Sequence, residues 1–162
     1  MIKKFSACRP WIEIAHLSIQ ENANFPVDGE PMPNITTFDP KKRYILFPVF
    51  VTTKGDKKYK VDALLDTGAP ATEFSDDALQ FAGLLEKTRR DVVLKPGLQT
   101  QKYGKVVLPR IEICSHPIDN LEVYISHFDK SWGIKALVGL DFFRRFRTTV
   151  DYKVGHIVTE PL

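Results

Sequence analysis

Few features of this sequence point to an oxidising or a membrane environment. It holds two cysteines, Cys8 in an N-terminal stretch and Cys114 in a strand-like run, which is no disulfide framework. No apolar region follows the charged start at residues 1–10, so no secretory leader is expected. The longest unbroken apolar or aromatic run, residues 44–51, contains Pro48 and is far too short to span a bilayer. The expectation is a soluble protein of a reducing compartment, hence cytoplasmic, with no membrane partner.

Charge of one sign is scarce as well. Twenty-three basic residues against 20 acidic ones leave a formal +3, too little to argue for nucleic acid. The clusters Lys87, Arg89, Arg90 and Arg144, Arg145, Arg147 are short and carry no interleaved aromatic platforms. They read as solvated faces, and no nucleic-acid partner is expected. Cys114, His116 and His127 match no zinc spacing, while His16 and His156 read as surface or packing residues. No metal or other cofactor is expected.

What is present is the material of one domain. The 162 residues are 43% hydrophobic, enough for a real core, and eleven prolines with few helix-like stretches favour β structure. Residues 1–43 read as an arm: 11–19 alternate partly like a strand, and Pro26, Gly29, Pro31 and Pro33 then break the chain. From residue 44 the pattern sharpens into a domain spanning 44–162. Residues 44–52 and 58–65 are apolar, β-branched-rich runs joined by Lys54, Gly55, Asp56 and Lys57, a hairpin signature. Ser75 then stands as an N-cap, followed by Asp76 and Asp77 and ended by Gly83, which predicts a short helix. Strands are expected at 91–94, 106–108, 111–114 and 121–125, a second short helix at 141–146, and a closing hairpin of 148–152 with 156–159. Residues 62–66 and 135–139 share an Ala-Leu-apolar core, each followed by a tight turn and a helix. That echo suggests a pseudo-two-fold within the chain.

The most informative segment ends the second strand. A carboxylate, Asp66, follows an apolar run, a costly position unless its surroundings satisfy it. Gly68 permits a sharp turn that can aim main-chain N–H groups at that carboxylate, and Thr67 supplies a hydroxyl able to bond across an interface. Asp62 has the same strand parity, but no glycine turn follows it, so it reads as surface or edge.

Leu64-Leu65-Asp66-Thr67-Gly68-Ala69 resembles the active-site loop of the retropepsins, the retroviral and retroviral-like aspartic peptidases. Residues 136–146, Ala-Leu-Val-Gly-Leu-Asp-Phe-Phe-Arg-Arg-Phe, are similar to the second glycine loop and helix of bacterial members, and 149–157 to their last hairpin. The likeness covers roughly residues 44–159. Pro70 and Asp141 depart from the retroviral pattern, although bacterial relatives commonly carry an acid at the second position.

The resemblance implies a mainly β, closed acid-protease barrel with two short helices. It implies an aspartic endopeptidase whose catalytic residue is Asp66, with Thr67, Gly68 and Ala69 forming the active-site loop. Such enzymes face two aspartates across a site, and this chain holds one Asp-Thr-Gly and no Asp-Ser-Gly. The active form would therefore be a homodimer acting on an extended polypeptide. A flap is expected over the cleft, its tip at Lys95, Pro96, Gly97 and Leu98, with Tyr103-Gly104 the weaker choice. Trp132, Leu137, Val138 and Gly139 would line the cleft. The alternative is a non-catalytic dimerisation or peptide-binding module on the same fold.

Overall fold

Alternation along each strand decides which side chains meet. In the computed structural model, which describes residues 32–53, 55–85 and 100–162, strand β1 (Asn34–Thr37) precedes the hairpin of β2 (Leu46–Thr52) and β3 (Lys58–Leu65). Phe47, Val49 and Val51 of β2 point inward and are buried, while Pro48 and Phe50 face outward. Pro48 is tolerated for a specific reason. It lies opposite Asp62 in a non-hydrogen-bonded pair, and its nitrogen faces a side of β2 where the next strand reaches only Val49.

After β3 come β4 (Glu73–Ser75) and helix α1 (Asp76–Phe81). The Ser75 hydroxyl accepts from the Ala78 amide at 3.2 Å, and Gly83 ends this segment at φ +70°, as the sequence predicts. The long strands β5 (Thr100–Ile113) and β6 (His116–Phe128) form a hairpin whose turn, Cys114 and Ser115, is left-handed without glycine. Then follow a 3-10 turn at Lys130–Trp132, β7 (Ala136–Val138), α2 (Leu140–Phe143), β8 (Phe146–Asp151) and β9 (His156–Pro161). Strands β2-β3-β7-β4-β6-β5 close a barrel, and β1-β9-β8 form a separate antiparallel sheet.

The internal echo is realised register by register. β3 and β7 run parallel, pairing Ala63 with Ala136, Leu64 with Leu137 and Leu65 with Val138. Each then feeds a turn and a short helix. Within the arm read at 1–43, the described residues Asn34–Thr37 pair along their whole length with β9. The strand expected at 91–94 lies outside the described residues.

The terminal sheet rests on the barrel through aromatic and polar contacts. His116 stacks on Phe146 with ring centres 4.0 Å apart, and its Nε2 lies 2.9 Å from Thr159 Oγ1 and 3.2 Å from Asn34 Nδ2. Burial pulls the His116 pKa below its ordinary value, which favours the neutral ring.

Cys114 lies buried at the hairpin turn against Thr36. Burial pushes its thiol from 9.0 up to about 11, against a smaller opposing effect of the Thr36 hydrogen bond. In a Cys8→Ser background, iodoacetamide at pH 8 should leave folded Cys114 unlabelled and modify it fully in denaturant, as read by intact mass. The same shift makes the unfolded chain lose its thiol proton first. Stability from this group is therefore intact below pH 9 and lost as pH climbs from 9.0 to about 11.

Candidate active site

Asp66 sits one residue beyond β3, held at its main chain and at its carboxylate. Its amide donates to the Val138 carbonyl of β7 at 3.0 Å. Its Oδ1 accepts from the Gly68 amide at 2.9 Å. The Ala69 amide donates to the main-chain carbonyl of Asp66 at 3.1 Å, so the loop closes as a tight turn. Asp66 is half-buried, whereas Thr67 and Gly68 are exposed.

The second glycine loop is locked against the first. The Leu140 amide donates to the Ala69 carbonyl at 2.9 Å, and the Gly139 amide to Thr72 Oγ1 at 3.3 Å. Asp141 then clamps Thr72 with both oxygens: Oδ2 accepts from the Thr72 amide at 2.9 Å and Oδ1 from its hydroxyl at 2.8 Å. Asp141 Oδ1 also accepts from the Phe142 amide at 3.0 Å. The acid that departs from the retroviral pattern thus ties the loop after Asp66 to the loop after β7. Asp141→Ala should leave the fully buried Thr72 hydroxyl and amide short of acceptors and cost about 2–3 kcal/mol in urea melts. Asp141→Asn, which keeps one acceptor oxygen, should cost less.

The residues expected to line a cleft divide by strand parity. Leu137 and Trp132 cluster with Leu64, Phe128 and Ile134, apart from the main core. Leu64 shares the strand face of Asp66, which places this apolar wall on the Asp66 side of β3. Val138 points the other way, into the main core, and is fully buried, so it lines no cleft. Gly139 is buried between the two loops and serves their close approach. Among the described residues, Trp132 Nε1 is buried without a hydrogen-bond partner.

Polarity hid another buried group from the sequence reading. Glu73 accepts from the Ser126 hydroxyl at 2.8 Å and meets Lys102 Nζ at 2.8 Å. Asp76 accepts from the Tyr103 hydroxyl at 3.2 Å and lies 3.2 Å from His127 Nδ1. Burial first, then the charge and hydrogen bond of Asp76, push the Tyr103 phenol far above its ordinary range. Tyr103 and Gly104, the weaker choice for a flap tip, therefore belong to a strand pinned to α1 and paired with β6, with a register shift between Lys102 and Gly104. Lys95, Pro96, Gly97 and Leu98 lie outside the described residues. Asp62 is exposed and pairs with Lys60 at 3.4 Å.

Among the described residues, no group of three or more His, Cys, Asp or Glu side chains could hold a metal. No helix among them is long and apolar enough to cross a membrane.

A closed six-stranded barrel, two short helices and two glycine loops joined across parallel strands define a retropepsin-like fold. The chain is similar in structure to a retropepsin-like aspartic protease from Rickettsia conorii, with a TM-score of 0.53 and 17% identity over 80% of this chain and 91% of that one. It also resembles the retroviral protease-like domain of Ddi1 from Leishmania major, with a TM-score of 0.49 and 17% identity over 75% of this chain and 96% of that one. No family model matches the chain, and no curated protein matches it in sequence.

Proposed function

We propose that the protein is an aspartic endopeptidase in which Asp66 pairs with Asp66 of a second copy. The observation that carries this reading is the Asp66 loop itself. An aspartate ends the inner strand of a retropepsin-like barrel, its carboxylate is oriented by the Gly68 amide, and its loop is fastened to the second glycine loop. The exposed Thr67 and Gly68 leave that loop free to meet another copy. The catalytic unit is residues 44–162, with 1–43 an arm that lends β1 to the terminal sheet.

Two carboxyls within hydrogen-bonding distance repel as anions, so the pair holds a single proton. The ionised member takes a proton from a water as that water attacks the scissile carbonyl. The protonated member donates to the carbonyl oxygen and stabilises the tetrahedral intermediate. An extended polypeptide would lie along the wall of Leu64, Trp132 and Leu137.

The test is a mixed peptide library incubated from pH 4 to 7 with protein whose mass in solution is measured in parallel. Cleavage with a bell-shaped pH profile, from a dimer, is the expected result. A dimer that binds extended peptides and cuts none at any pH would favour the non-catalytic module instead.

A further inference from the structure

A trough beside the first half of β3 has no part in the Asp66 reading. Two hollows of about 480 and 610 Å³ share Tyr59 and Ala82 and so run together along the strand. One wall is α1, where Phe81 is 82% exposed and meets the Tyr59 ring edge-on at 5.9 Å. Together the two rings give this wall of the trough an apolar, aromatic surface.

The floor is an open strand edge. On β3, β7 reaches only Ala63, Leu64 and Leu65, so, among the described residues, 58–62 are paired with β2 alone. The amide of Leu65 points to Ile45 beside β2, while that of Asp66 points to β7. By alternation, the N–H and C=O of Lys60 and the N–H of Asp62 point away from β2 and into the trough. They meet no main-chain partner among the described residues. Proteins usually shorten, cover or charge such an edge, because it templates another strand. Lys57 and Lys135 line the two hollows, and neither has an ion partner among the described residues.

We propose that this trough is a strand-addition site for an extended segment of a partner polypeptide. The segment pairs with Lys60 and Asp62 through its main chain and lays apolar side chains on Phe81 and Tyr59. Acidic residues at its ends meet Lys57 and Lys135. Lys60 stands six residues from Asp66, about 20 Å along an extended chain, so this site is separate from the Asp66 loop.

The test uses the full chain carrying Asp66→Asn, so that cleavage cannot consume the probe. Phage-displayed random dodecapeptides are selected on it, and the enriched sequences are synthesised. The expected peptides alternate apolar and polar residues between acidic ends. On binding, the Lys60 and Asp62 amides should slow in hydrogen exchange. Phe81→Glu, at an exposed position, and Lys60→Pro, which removes the outward amide and the exposed ion pair with Asp62 but no β2 ladder bond, should each weaken binding about tenfold or more. No enrichment, or peptides that bind both variants as tightly as the parent, would overturn the proposal. So would a dimer that Phe81→Glu splits, since the trough would then belong to a second copy.

Discussion

Asp66→Asn is expected to reduce cleavage at least about a thousandfold while leaving the fold in place. The substitution is isosteric, and an amide oxygen at Oδ1 still accepts from the Gly68 amide. The Val138 and Ala69 main-chain bonds do not involve the side chain. Thermal stability should therefore move by no more than about 1 kcal/mol, and the loss of activity is chemical. The variant also tests the dimer. If each site needs one ionised and one protonated Asp66, a mixed dimer is dead. Equal amounts of wild type and Asp66→Asn, allowed to exchange subunits, should then retain about a quarter of the activity that the same total of wild type shows. A site complete within one chain would retain about half. A thousandfold loss with the half-activity result would keep Asp66 as catalytic residue and remove the dyad.

The sequence and the structure agree where local chemistry is strong. Turn residues, alternation and the Ser75 cap make the β2–β3 hairpin and α1 readable, and the shared Ala-Leu-apolar core anticipates the β3–β7 pairing. Short elements were not readable, because distant partners decide them. Asn34–Thr37 and Glu73–Ser75 are four and three residues long, and each owes its extended form to strands far along the chain. Residues 106–108 and 111–114, expected as two strands, belong to the single β5, which runs through Pro109 with the ladder skipping the pair Pro109–Asn120. Buried polarity was the larger omission. Glu73, Asp76 and Ser126 look like surface residues in sequence, and only the fold shows partners close enough to justify their burial. At the candidate site, the turn that carries Asp66, Thr67 and Gly68 at the end of β3 was readable from one strand and one glycine. The role of Asp141 was not, since its partner Thr72 lies 69 positions away.

Gly139→Ala should be one of the most damaging single methyls in the described part of the chain. The reason is distance, not backbone freedom, for Gly139 lies at φ −101°, which any residue can adopt. A Cβ there would stand 2.7 Å from the Ala71 carbonyl carbon and 2.8 Å from the Ala69 and Ala71 oxygens. All three are main-chain atoms, so no side chain can swing aside. The loops must part, stretching the Leu140–Ala69 bond and the Gly139–Thr72 bond that align them. A cost of about 3 kcal/mol is expected, a large share of the stability of a domain this size. Gly133→Ala is the control. Gly133 lies at φ +69° with nothing near its missing Cβ, so the change costs only left-handed strain, about 1 kcal/mol. Urea melts of the two variants should separate them clearly. Because the same contact sets where Asp66 stands relative to Val138, residual Gly139→Ala protein that remains folded should also lose kcat far more than Gly133→Ala does. Equal costs for the two glycines would mean that the loops can part freely, and the locked pair of loops would then not be what orients the Asp66 carboxylate.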